Sequence, residues 1–214
     1  MIISHKHKFI FIKTKKTAGT STEIALSTIC GDQDIITPIT AEDEITRKAL
    51  GGRGPQNHVV NGIPLFYNHM PAKDVRALIG KPVWDGYFKF CFERNPWDKV
   101  ISWYFWEHPA EPRLPLSEFV QSGWAAQVGG PGGFDLYTID GEMAVDRVCR
   151  FENLGEELAR IRAELNLPAM PDLPRAKSRF RQDKRHYREI LGAADAMAIE
   201  KFFAREIAAF GYTF

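Results

Sequence analysis

The segment from Phe9 to Ser21 constrains this chain more than any other. Phe9-Ile10-Phe11-Ile12 is a short apolar run of the kind that forms a buried, parallel central strand, expected here over about residues 8–13. Lys16-Thr17-Ala18-Gly19-Thr20-Ser21 comes next, and helix-like sequence begins near Thr22. A strand that breaks at a small-residue turn and re-enters a helix aims several backbone N–H groups at one spot. That spot favours anions through hydrogen bonds and through the helix dipole. With a lysine at its mouth, the loop is predicted to hold a phosphate or sulfate. It is not a Walker A loop, which needs Gly-Lys-Ser/Thr and a hydroxyl for Mg²⁺; here Lys16 precedes Gly19 and no Gly-Lys pair follows.

A second constellation starts where another apolar run, Tyr87 to Glu93, ends. In Arg94-Asn95-Pro96-Trp97-Asp98, Asn95 reads as an N-cap, Pro96 as the first helical residue and Asp98 as a third-position acid. Trp97, Val100, Ile101, Tyr104 and Phe105 then make an amphipathic stripe. Capping explains Asn95, Pro96 and Asp98 but not Arg94 and Ser102. An arginine at a strand's carboxyl end and a serine two turns into the next helix can pinch a phosphate from two sides. Open α/β sheets bind ligands at that edge, so two anion sites there imply one ligand with two separated anionic groups.

The net charge of +1 argues against a broad nucleic-acid-binding face. That average hides unequal parts. Residues 1–20 carry five lysines and no acid, and residues 175–188 carry seven Lys/Arg against Asp183 alone. Two basic segments distant in sequence can converge on one polyanion. Cys30, Cys91 and Cys149 have no CxxC spacing and read as small buried hydrophobes in a reducing compartment. No apolar stretch approaches the roughly 20 residues of a membrane span, and the N-terminus has strand character rather than that of a signal peptide. The expectation is a cytoplasmic protein with no integral membrane segment.

The 214 residues, 44% of them hydrophobic, are read as one domain, 1–214. Residues 31–62 are read as a loop with at most a short helix at 41–49. Ile63 to Tyr67 is read as a strand, Val145 to Phe151 as the last one, and Asp140-Gly141 as a turn. Helices are expected from Leu154 to Leu165 and across Ile199, Phe203, Ile207 and Phe210. Such alternation suggests a parallel sheet covered on both faces.

Together the two constellations resemble the sulfotransferases that use 3′-phosphoadenosine 5′-phosphosulfate (PAPS). Lys16 to Ser21 resembles their 5′-phosphosulfate loop. Arg94 through Ser102, an arginine followed eight positions later by a serine, resembles their 3′-phosphate motif. The branch containing carbohydrate sulfotransferases looks closest. The resemblance implies an α/β fold of P-loop-like, three-layer type, with a central, mainly parallel sheet flanked by helices. It implies PAPS as co-substrate, no metal, and a hydroxyl-bearing acceptor, first a carbohydrate and second a small alcohol or phenol. Lys16 would stabilise charge at the bridging oxygen. Lys15, Thr17, Ala18, Gly19, Thr20 and Ser21 would complete the 5′ site, and Arg94 and Ser102 the 3′ site. Lys177 and Arg179, in a basic loop where relatives close over the nucleotide, are weaker candidates. Lys15 stands where relatives often have proline, and it either shares the charge or shifts the alignment. The chain is short for the family, so its acceptor site is open or shared with a second subunit, and a homo-oligomer is compatible with that.

Transfer to an alcohol also needs a base. Of six histidines, His69 lies after a predicted strand and before the Pro71 helix, and the carbohydrate branch carries its base in a similar place. His58 is the next candidate. His5 and His7 lie at the wrong end of the first strand. Two other classes remain open: a P-loop nucleotide kinase or phosphotransferase, and a noncatalytic nucleotide-binding module.

Overall fold

In the computed structural model, which describes residues 1–174, 176 and 180–214, the chain opens with a hairpin. β1 (Ile2–Ser4) and β2 (Phe9–Phe11) pair antiparallel, and the turn between them includes Lys8 at a left-handed φ of 54°. α1 (Gly19–Ser27) follows, and β3 (Ile35–Ile36) returns to pair antiparallel with β1. α2 (Ala41–Ala49) is capped by Thr40, whose side chain accepts the Asp43 amide; acids fill its first turn and bases its last, as the helix dipole favours. β4 (Val59–Val60) and β5 (Ile63–Pro64) form a separate hairpin. α3 (Ala72–Ile79) and α4 (Lys81–Gly86) lead into β6 (Phe88–Glu93) and α5 (Pro96–Glu107).

Beyond α6 (Leu116–Gln121) and α7 (Phe134–Tyr137), β7 (Thr138–Ile139) and β8 (Glu142–Met143) make a third hairpin. It turns at Asp140-Gly141 with positive φ at both residues. β9 (Arg147–Arg150) is the last strand. α8 (Leu154–Glu164), α9 (Tyr187–Ile190), α10 (Ala193–Phe202) and α11 (Ala204–Phe210) complete the chain.

The main sheet has the order β3-β1-β2-β6-β9. β2, β6 and β9 run parallel, while β1 is antiparallel to both its neighbours. The fold is therefore α/β with a mixed sheet, and the expected mainly parallel sheet is corrected. The cause is the short Ser4–Phe9 connection, which can only reverse the chain, whereas a parallel partner needs a long crossover. The expected strand at Ile63 to Tyr67 is also corrected. Only Ile63 and Pro64 are extended, and they pair with Val59 and Val60 across a two-residue turn, Asn61-Gly62, with φ of 51° and 78°. The last expected helix is two, α10 and α11, separated at Phe203.

Alternation along β2 divides the core. Ile10 and Ile12 pack with Val75, Trp84 and Tyr137, while Phe9 and Phe11 pack with Phe90, Leu26 and Leu158. The α5 stripe is buried as predicted, against Phe119, Ile199 and Phe203. All three cysteines are free and buried.

One buried ion cluster stands out in this apolar setting. Glu23 of α1 accepts Lys13 at 2.7 Å, and Arg47 of α2 and the Met1 amino group at 3.1 Å each. Burial alone would raise the Glu23 carboxyl, but its cationic partners, Lys13 and Arg47 among them, outweigh it and hold its pKa at about 2 against an ordinary 4.5; burial pushes the Met1 amine down to about 5, so that group is largely neutral near pH 7. The folded-state value of Glu23 lies below the unfolded one, so this stabilisation is complete above about pH 4.5 and is lost as pH falls toward 2. Glu23→Gln removes the buried negative charge that Lys13 and Arg47 share and is expected to cost about 3–5 kcal/mol. Urea denaturation at pH 7 measures this, and the acid limb of the stability curve should flatten in the same variant.

Candidate functional site

β2 and β6 are parallel neighbours, so the loops leaving their carboxyl ends lie side by side. The first loop is locked by its own backbone and short side chains. Ile12 donates its amide to the Phe90 carbonyl at 2.9 Å, and Lys15 donates to the Gly132 carbonyl at 2.8 Å. The Thr14 hydroxyl donates to the Phe92 carbonyl, and the Thr17 hydroxyl to the Thr14 carbonyl at 3.2 Å. Lys16 and Ala18 hold left-handed φ values of 61° and 59°, a conformation that costs a non-glycine residue about 1–2 kcal/mol. α1 then begins with no side-chain cap and no acid in its first turn. Gly19 is needed for close packing: a Cβ there would meet Lys13 Cγ at 2.7 Å. The Lys13 stem runs past this first turn toward Glu23.

The second loop joins the first directly. Arg94 Nη1 donates to the Lys16 carbonyl at 3.0 Å, and Arg94 Nε to Asp98 Oδ2 at 2.8 Å. Its guanidinium lies over the Phe151 ring, 4.1 Å from the centroid. Asn95 caps α5 as predicted, accepting the Trp97 and Asp98 amides. The Asp98 carboxylate is spent on arginines rather than on a cap bond: besides Arg94 it binds Arg181 from the far basic segment, and the Asn95 amide donates to Glu152 Oε1 instead. Burial would raise the Asp98 carboxyl, but Arg94 and Arg181 hold it below the usual carboxylate range.

Both loops open on one cavity of about 650 Å³. Lys15, Lys16, Ala18, Gly19, Thr20 and Ser21 line it from the first loop, and Arg94 and Ser102 from the second. His69 lines it as well. Thr17 does not: it is buried, and its hydroxyl is engaged with Thr14. Lys177 and Arg179 lie outside the described residues. The lining also includes residues that sequence reasoning missed. Lys13, Arg181 and Lys184 raise its cations to six among the described residues, with no acid among them. The charge runs at residues 1–20 and 175–188 were the signal for these three. Trp103, Trp106, Phe151 and Phe180 supply aromatic walls. A shallower hollow of about 460 Å³ on α3 and α4 shares none of these residues.

The His69 ring is fixed by a single bond. Its Nδ1 lies 2.9 Å from the Lys13 carbonyl oxygen. A carbonyl only accepts, so Nδ1 carries the hydrogen and Nε2 keeps the lone pair. Burial, then the nearby Lys13 and Lys15 cations, push the imidazole pKa down to about 3. The other histidines are occupied elsewhere: His5 with the Tyr87 hydroxyl, His7 with the Ile29 carbonyl, His108 with the Tyr104 carbonyl, and His186 as the α9 cap. His58 is not on the lining. Among the described residues, no three His, Cys, Asp or Glu side chains are grouped to hold a metal, and no helix is long and apolar enough to cross a membrane.

A protein of Archaeoglobus fulgidus, described only as uncharacterized, is 38% identical over 109 residues, covering 49% of this chain and 88% of the archaeal one. The chain belongs to the family of that protein. No family model and no solved structure matches it.

The site makes a sharp spectroscopic prediction. His69 should stay neutral down to about pH 3, and its C–H resonances, followed by NMR, should titrate far below those of an exposed histidine. An anion bound among the six cations should move that titration upward.

Proposed function

We propose that this chain is a PAPS-dependent sulfotransferase that moves a sulfuryl group to a hydroxyl oxygen, giving a sulfate ester and adenosine 3′,5′-bisphosphate. One observation carries the reading. The two anion loops, read independently from sequence, share a single cavity with a neutral histidine and six cations. In this reading the parallel core β2-β6-β9 corresponds to the centre of a P-loop-like, three-layer fold, with β1 and β3 added at one edge.

The first-turn amides of α1 and the Thr20 and Ser21 hydroxyls hold the 5′-phosphate. Lys16 faces the oxygen that bridges phosphorus and sulfur, where charge grows as that bond breaks. Arg94 and Ser102 hold the 3′-phosphate, with Arg181 beside them through Asp98. His69 takes the proton from the attacking hydroxyl at Nε2. Its low pKa fits the unfilled site, because the same cations that suppress it are neutralised by a bound dianion, which raises the imidazole's basicity. Lys13 supports this arrangement by fixing the tautomer. The acceptor class, a carbohydrate first and a small alcohol second, follows from the resemblance, and indole faces at Trp103 and Trp106 suit a sugar ring.

The test is a screen of labelled PAPS against glycans, lipids and small hydroxyl compounds, with adenosine 3′,5′-bisphosphate binding followed by calorimetry. Lys16→Ala should abolish transfer with the fold intact. Arg94→Ala should weaken bisphosphate binding by about 10- to 100-fold, the worth of a charge-assisted hydrogen bond. His69→Ala should lower the rate by about 10²–10⁴-fold. Phosphotransfer from ATP with Mg²⁺, and none from PAPS, would overturn the reading in favour of a nucleotide kinase.

A further inference from the structure

Consecutive lysines of the first loop rest on indoles one helical turn apart. Lys15 Nζ lies 5.3 Å from the Trp103 ring centroid, and Lys16 Nζ lies 4.8 Å from that of Trp106. Both tryptophans belong to α5, the helix that also presents Ser102 to the cavity. The Phe180 ring packs edge-on against Trp106, with centroids 4.7 Å apart at 70°. Phe180 adjoins Arg181 and precedes Lys184, which line the same cavity.

We propose that Trp106 is a positioning residue for the Lys16 ammonium, an inference that rests on the sulfotransferase reading for its consequence. Six like charges share this cavity and repel one another. Glu23 draws Lys13, and Asp98 draws both Arg94 and Arg181. These carboxylates sit behind the lining, since no described lining residue is acidic. An indole face attracts an ammonium through its quadrupole and carries no formal charge, so it seats Lys16 without neutralising the site. The backbone of Lys16 is already pinned, by its left-handed φ and by the Arg94 bond to its carbonyl. Trp106 seats the other end of the side chain, and Phe180 steadies the ring.

Two variants and two readouts test this. Reductive ¹³C-methylation gives each lysine its own dimethylammonium resonance, and the Lys16 signal is assigned by its loss in Lys16→Arg. In the wild-type protein that signal should be shifted upfield by the Trp106 ring current. Trp106→Leu should remove the shift and Trp106→Phe should keep part of it. In transfer assays with PAPS, Trp106→Leu should lower kcat about tenfold, as expected for loss of a partly desolvated cation–π contact. Trp106→Phe should recover most of that loss, and adenosine 3′,5′-bisphosphate affinity should hold to within about twofold, since the lysine acts on the bridging oxygen.

An unshifted wild-type Lys16 signal overturns the proposal, as does an unchanged kcat in a folded Trp106→Leu. An equal fall in kcat and bisphosphate affinity also overturns it, because Trp106 would then shape the whole cavity. The wild-type spectrum and the Phe variant decide the matter if the Leu variant does not fold. A wild-type protein that neither binds the bisphosphate nor uses PAPS defeats the sulfotransferase reading, while the resonance still decides whether Trp106 seats Lys16.

Discussion

Lys13 ties the site together through two different atoms. Its ammonium is drawn past the first turn of α1 to Glu23, which lies in the buried cluster with Arg47. Its carbonyl accepts the Nδ1 hydrogen of His69. The side-chain path requires a glycine at position 19, because any Cβ there would collide with the lysine stem. One residue thus sets how closely the strand end approaches the helix start and which nitrogen of the imidazole keeps its lone pair. A buried charge in this position is costly unless its partner is also fixed. Glu23 is fixed by being shared among several partners, so the cost of burial is spread over a cluster that joins α1, α2 and the segment after β2.

Charge is layered around the cavity. Cations line it and their carboxylates stand one layer behind: Glu23 behind Lys13, Asp98 behind Arg94 and Arg181. This arrangement keeps the cationic side chains ordered before any ligand arrives, so little reorganisation is left for the moment of binding. It also leaves the described inner surface positive. Asp98 links the layers mechanically too, because it bridges α5 and the basic segment that carries Arg181 and Lys184.

Local rules made much of this legible. The strand–loop–helix transition at residues 9–21, the Asn95-Pro96 helix start and the α5 stripe depend on neighbours in sequence, and each is found where the residues indicate. The short helix at 41–49 and the Asp140-Gly141 turn are legible for the same reason. What stayed hidden depends on contacts between distant segments. β1 and β3 are two or three residues long, and strands so short carry no periodicity; only their pairing defines them. Asp98 looked like a cap because Arg181 is 83 positions away. Thr17, expected at the anion chiefly through its backbone amide, turns its hydroxyl to Thr14, a bond that spacing does not show. Lys13 read as the end of a strand, since nothing local shows that its side chain turns toward Glu23 or that its carbonyl meets a histidine 56 positions on.

Under the proposed sulfotransferase reading, the depressed basicity of His69 is the feature that most nearly argues against it as a base, and electrostatics offers an answer. A pKa of about 3 reflects burial first and the nearby lysines second. Burial alone favours the neutral form, which is the form a base must have, and the Nδ1 bond to Lys13 aims the lone pair from Nε2. The lysine contribution is conditional. It is largest when the cavity holds no anion and shrinks as one enters, so the imidazole becomes a stronger base in the complex than in the empty protein. If the proposed reading holds, the cations that hold the donor also switch the base, while the Lys13 carbonyl keeps the ring oriented.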